Sequence, residues 1–262
     1  MTIHKSALAV ALSLGALILP VAQAATPNCQ HSQARNLKLD LAGVKTVVFD
    51  IGPHDLVVNA SPNGRAVIDG KACASEVSSL ETLKLSQQRV GEKLMVTAER
   101  NDGISFNFGG YHYAYLDLKA SIPDNVLVQL KVGSGDAQVT GASALSIDLG
   151  SGDVDARDIR GLVTADLNSG DIKLDTIGSL QVLSVGSGDF SARRIGRGAT
   201  VGSIGSGDVE LVGVGGDVTV DRIGSGDLDV RDVRGNLSVR RVGSGSVDHS
   251  GVTGRTDVPQ DN

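Results

Sequence analysis

Val185-Gly186-Ser187-Gly188-Asp189-Phe190, Ile204-Gly205-Ser206-Gly207-Asp208-Val209 and Ile223-Gly224-Ser225-Gly226-Asp227-Leu228 are one phrase written three times. Its serine recurs at Ser134, Ser151, Ser169, Ser187, Ser206, Ser225 and Ser244, at intervals of 17, 18, 18, 19, 19 and 19 residues. A fixed period of this length marks a repeat architecture and takes precedence over any local motif. The columns around the serine carry the fold. Two residues before it stand Leu149, Leu167, Val185, Ile204, Ile223 and Val242; three after it stand Ala137, Val154, Ile172, Phe190, Val209, Leu228 and Val247. Eight after it stand Ala142, Ile159, Ile177, Ile195, Val214, Val233 and Val252.

Each unit thus holds two short strands with apolar residues at every second position, the pattern of a half-buried strand. One unit cannot bury enough surface to offset its own ordering entropy, so stability has to come from stacking. Equivalent strands of successive units run the same way. The sequence therefore predicts an all-β, single-stranded parallel β-helix of about 18–19 residues per rung, for which right-handed winding is the default. A left-handed hexapeptide helix would divide each coil into three sixes, whereas this period divides into two halves.

Gly135, Gly152, Gly170, Gly188, Gly207, Gly226 and Gly245 form one column, expected to need positive φ at the turn. Beside them runs a ladder of Asp136, Asp153, Asp171, Asp189, Asp208 and Asp227, suited to accept hydrogen bonds from turn amides. Upstream the pattern decays. Val47 to Val58 reads as a degenerate rung with Gly52-Pro53-His54-Asp55 at its turn. Leu83–Gln88 and Lys93–Thr97 read as a hairpin about Val90-Gly91, and Leu116–Ile122 alternates before Pro123-Asp124-Asn125 turns. The expected layout is a leader at 1–24, a less regular β region at 25–130, the regular helix at 131–258 and a polar tail at 259–262. Whether the mature chain is one continuous structure stays open. Ser246, His249 and Pro259 make its far end polar, which protects an open sheet edge.

The Gly-Ser-Gly-Asp-Val rungs, behind a leader and a less regular β region, resemble the bacterial putative-adhesin β-helix domains. The resemblance covers roughly Val47 to Val252. It implies a cell-envelope or surface location and carries no agreed ligand or catalytic residues.

Export is also read from the residues themselves. Lys5 precedes an uncharged apolar run from Ala7 to Leu19, and Ala22-Gln23-Ala24 offers a peptidase site. The run is shorter than the roughly 20 residues of a membrane span, so the mature protein is expected in the periplasm or outside the cell, with no membrane span. There Cys29 and Cys73, the two cysteines, most simply pair; free thiols or half a metal site are the weaker alternatives. The net charge of −6 includes Lys5, and losing that one charge with the leader leaves −7. An acidic balance argues against nucleic acid as a partner.

The aspartate ladder raises calcium, but the opposite turns, such as Asp158-Ile159-Arg160-Gly161, lack the second set of oxygens that ion needs. Turn capping, with help from Arg157, Arg193 and Arg231, is the favoured role, and no metal or cofactor is expected. His31, His54, His112 and His249 are scattered without ligand spacing. Gly213-Val214-Gly215-Gly216-Asp217 is a repeat turn rather than a nucleotide loop. The rungs leave little room for the loops that carry catalytic groups, so no enzyme is expected. Five of the seven aromatic residues, Phe106, Phe108, Tyr111, Tyr113 and Tyr115, crowd around Gly109-Gly110. They form the candidate binding patch, for an envelope protein or a glycan, or else a seal over the start of the helix. The functional expectation is an exported adhesin-like interaction module; the alternative is a structural or stress-related periplasmic protein without a ligand.

Overall fold

The structure, a computed structural model, describes residues 29–101 and 112–259. The leader expected at 1–24 lies outside them. The N-terminal part contains β1 (His31–Ala34), β2 (Leu37–Lys38), β3 (Thr46–Gly52), β4 (Asp55–Ser61), β5 (Val67–Ala74), one helical turn α1 (Val77–Leu80), β6 (Leu83–Val90), β7 (Lys93–Arg100) and β8 (Ala114–Pro123). The repeat region contains β9 (Leu127–Val132), β10 (Ala137–Thr140), β11 (Leu145–Leu149), β12 (Asp153–Leu167), β13 (Asp171–Val185), β14 (Phe190–Ile195) and β15 (Ala199–Ile204). It ends with β16 (Val209–Val214), β17 (Val218–Ile223), β18 (Leu228–Val233), β19 (Leu237–Val239), β20 (Val247–Val252) and β21 (Thr256–Asp257).

Parallel pairing runs from rung to rung, and the apolar columns fall in register. Leu149, Leu167, Val185, Ile204 and Ile223 stack in one ladder. Val154, Ile172, Phe190, Val209 and Leu228 stack in another. Ile159, Ile177, Ile195, Val214 and Val233 make a third. All of these side chains are buried. Full burial of one such aliphatic is worth roughly 1.5–3 kcal/mol, and the gain is realised only with a rung on either side. The molecule is a parallel β-solenoid. β12 and β13 run unbroken around a corner, so each contributes to two faces.

The glycine column is the main correction. None of Gly135, Gly152, Gly170, Gly188, Gly207, Gly226 or Gly245 has positive φ. What each lacks is space. A Cβ there would lie 1.7–2.0 Å from the carbonyl oxygen of the residue one rung earlier, for example 1.7 Å from Gly170 O at Gly188. The stacked turns pack backbone on backbone, and a side chain would drive them apart. The left-handed corner is a different column, seven residues after each serine. It holds Gly141, Asp158, Thr176, Arg194, Gly213, Asp232 and Gly251, with φ between 55° and 80°. Side chains as large as that of Arg194 are tolerated there because the corner points outward.

Gly52-Pro53-His54-Asp55 does replace a rung turn. β3 pairs in parallel with β9, and β4 with β10. His54 occupies the glycine column, its carbonyl oxygen 2.0 Å from where a Gly135 Cβ would be. The imidazole is fully buried, and its Nδ1 accepts the Leu116 amide at 3.2 Å.

Strand order in the N-terminal part departs from chain order. β3 lies between β7 and β9, and β4 between β8 and β10, so a later rung is threaded outside an earlier one. β6 and β7 form an antiparallel hairpin closing at Val90 and Lys93. β5 runs antiparallel to β8, and short β1 and β2 run antiparallel to β5. These antiparallel strands end the solenoid, and the Cys29–Cys73 disulfide ties the segment before β1 to β5.

Candidate binding surfaces

The carboxylates of the turn ladder are occupied by the backbone. Asp55 Oδ1 accepts the Asp136 amide at 3.2 Å, Asp136 accepts Asp153, Asp153 accepts Asp171, and Asp171 accepts Asp189. Asp208 accepts Asp227, and Asp227 accepts both the amide and the hydroxyl of Ser246. Asp55, Asp136, Asp153, Asp171, Asp208 and Asp227 therefore each cap the rung above. Among the described residues no three histidine, cysteine or acidic side chains converge on a possible metal position. Arg193 and Arg231 do not serve this ladder. They pair with Glu210, and Arg231 also with Asp229, on an adjacent face.

Of the aromatic group, Phe106, Phe108 and Tyr111 lie outside the described residues. Tyr113 and Tyr115 are half-buried where β8 begins, with ring centroids 6.1 Å apart. The Tyr113 hydroxyl accepts the Gln30 amide at 3.0 Å, and its backbone exchanges hydrogen bonds with Ser75. Tyr115 stands opposite Cys73. Burial, with the neighbouring Tyr113, Asp117 and Asp55, pushes the Tyr115 phenol above its ordinary value, so it remains a hydrogen-bond donor. His112 Nδ1 lies 3.3 Å from Glu76 Oε1 close by.

The two broad sheet faces differ in chemistry. On the face formed by β10, β14, β16, β18 and the first halves of β12 and β13, the outward columns carry Asp155, Lys173, Asp175, Arg193, Glu210, Asp229 and Arg231. These charges largely neutralise one another, as in Arg193–Glu210 at 3.2 Å. On the other face one outward column reads Gln129, Ser146, Thr164, Gln181, Thr200, Thr219 and Ser238, in parallel register throughout. It holds no charge. A groove of about 600 Å³ crosses it, lined by Leu162, Ser179, Gln181, Thr200, Asp217 and Thr219 among others. The column is not evident from the sequence pattern alone, although six of these seven residues stand 12 or 13 positions after a repeat serine.

No known family profile matches the sequence, and no curated protein does. Solved structures do match. A putative adhesin from Bacteroides fragilis superposes with a TM-score of 0.52 at 14% identity, covering 87% of this chain and 97% of that one. The chain shares that adhesin's fold. A putative lipid binding protein from Parabacteroides distasonis gives a TM-score of 0.44 at 13% identity, covering 87% and 97%. A putative cell adhesion protein from Clostridium sporogenes gives 0.35 at 12%, covering 86% and 100%. Within this shared fold, no helix among the described residues is long and apolar enough to cross a membrane.

Proposed function

We propose that this chain is an exported, non-catalytic binding module of the bacterial cell envelope, adhesin-like in mode of action. One observation supports this most directly. The solenoid gives its length to flat outward columns and adds no loop between Ala137 and Val252 that would build a catalytic cleft. An ordered face of this kind suits recognition of an extended partner. The leader-like N-terminus and the fold shared with a putative adhesin point the same way.

The aromatic segment, Phe106, Phe108, Tyr111, Tyr113 and Tyr115, is our candidate contact point, since half-buried tyrosines present apolar rings and a polar tip. The competing reading, a structural envelope protein with these residues as a seal, draws on the Tyr113–Gln30 bond and on Tyr115 lying over Cys73. Pull-down from envelope extracts separates the two. The mature protein should retain a defined partner that is lost when Tyr111, Tyr113 and Tyr115 are changed to serine in a variant shown to fold. Failure of both proteins to retain anything would favour the structural role.

A further inference from the structure

We propose that the sheet face bearing the polar column pairs with the same face of a second copy of this chain, the two solenoids lying antiparallel. The inference goes beyond the binding-module reading and uses a surface apart from the tyrosines. Beside the polar column runs a second outward one, Asp148, Asp166, Ser184, Ser203 and Arg222, in parallel register throughout. Arg241 extends it, since it precedes Val242, which bridges to Ile223. The four charged residues are exposed. The column is acidic over its first two rungs, neutral in the middle and basic over the last two.

This order reverses sign about the midpoint between Ser184 and Ser203. A two-fold axis there, lying in the interface along the strands, lays the column reversed on its own copy. Asp166 then faces Arg222 of the second copy and Asp148 faces its Arg241, each pair formed twice as an isologous interface requires. Copies packed in the same sense would bring Asp166 level with Asp166, so charge selects the antiparallel arrangement. Neighbouring charges keep this polarity. Asp221 bonds both Arg240 at 2.8 Å and Arg241 at 3.3 Å, one carboxylate against two guanidiniums, and Arg222 has no ion pair among the described residues. Lys131, one rung before Asp148, is neutralised by Asp50 at 3.3 Å, and Asp217 is held by the Asn236 amides. Shape agrees with charge. Leu183 and Gly202 take equivalent places on the two central rungs, the leucine 48% exposed and the glycine leaving a recess. Reversal seats each Leu183 over Gly202 of the other copy and buries apolar surface at the centre. The polar column also meets itself reversed, Gln181 against Thr200 and Thr164 against Thr219, groups that both donate and accept. About six rungs of about five residues give a footprint of roughly 24 by 17 Å. That is small for a specific interface, so the dimer is weak.

Sedimentation velocity of the mature protein from about 1 to about 200 μM tests this. A monomer–dimer equilibrium should appear and weaken several-fold between about 50 and about 500 mM NaCl. Asp166→Arg should weaken it about ten-fold or more by setting arginine against arginine, and Arg222→Asp should do the same with two aspartates. An equimolar mixture of these two variants should recover dimers of parental strength, because every such contact is again arginine to aspartate. Lys173→Ser on the opposite face should dimerise like the parent. Because these side chains are exposed, melting curves should be unchanged. A monomer at every concentration, a dimer indifferent to both reversals, or a mixture no stronger than its components would overturn the proposal. The pull-down with the tyrosine variant reads the other surface, so the two proposals fail separately.

Discussion

Two glycines 25 residues apart are required for unrelated reasons, and substitution can tell them apart. Gly188 has ordinary φ but no room, with Gly170 O 1.7 Å from a would-be Cβ. Gly213 has φ of 72° and nothing closer than 3.8 Å. Gly188→Ala should therefore destabilise by about 3 kcal/mol or more, since two backbones must separate. Gly213→Ala should cost only about 1–2 kcal/mol, the left-handed penalty for an L-residue. Asparagine, which tolerates that conformation, should recover part of the loss at 213 and none at 188. Thermal melts check both, and equal effects at the two sites would refute the assignment.

The aspartate ladder makes a second contrast. Burial holds the Asp55 carboxyl above its ordinary 3.8, helped by repulsion from Asp136 and Asp117 and opposed by the Asp136 amide it accepts. The folded state thus holds this proton more tightly than the unfolded chain does. Its contribution is fully present below 3.8 and is lost as pH rises through the folded value. Asp227 is shifted down by the Ser246 hydroxyl and amide, so its contribution is present above 3.8 and disappears as pH falls through the folded value. Asp55→Asn should raise Tm at pH 7, and Asp227→Asn should lower it. Both differences should shrink in melts taken at progressively more acid pH.

At the scale of elements, the solenoid rungs were legible in the sequence and the N-terminal cap only partly so. Period, strand alternation and stacking follow from columns that keep one residue type, as Ile159, Ile177 and Ile195 do. The left-handed corner was hidden because Arg194, Thr176 and Asp232 share its column with glycines, and only backbone angles unite them. The interleaving of β7–β8 with β3–β4 leaves no local signal, since it depends on which free edge each strand reaches. The outward polar column from Gln129 to Ser238 was readable in principle, but only the parallel register shows that its residues stack. The cap also carries a covalent tie. Closing the 44-residue separation between Cys29 and Cys73 is worth about 4 kcal/mol in the chain-entropy model. Cys29→Ser with Cys73→Ser should loosen β1 and β5 and expose them to limited proteolysis. The rungs beyond β14, which touch only their neighbours, should stay protected under the same digestion.

For the whole molecule, the two ends of the solenoid are finished differently. Antiparallel strands and the disulfide close the N-terminal end, whereas the last described rung at the other end is parallel, and among the described residues no strand pairs with β20 besides β18. That last rung is polar where the others are not. His249 takes the inward column above Val230, Ser246 replaces the aspartate, and β20 is exposed or half-buried along its length. Its cost is small because a terminal rung buries only one side, and its benefit is that Leu228, Val230 and Val233, at most 1% exposed, stay covered. Deleting residues 240–262 would uncover this apolar edge and its unpaired backbone groups, the surface most prone to edge-to-edge association. The truncated protein should retain most of its β signal by circular dichroism, because each remaining rung keeps its neighbour below. In size-exclusion chromatography with light scattering it should form larger assemblies than the intact chain, increasingly so with concentration. An unchanged mass would mean that the last rung is not what keeps the open end of this solenoid from growing.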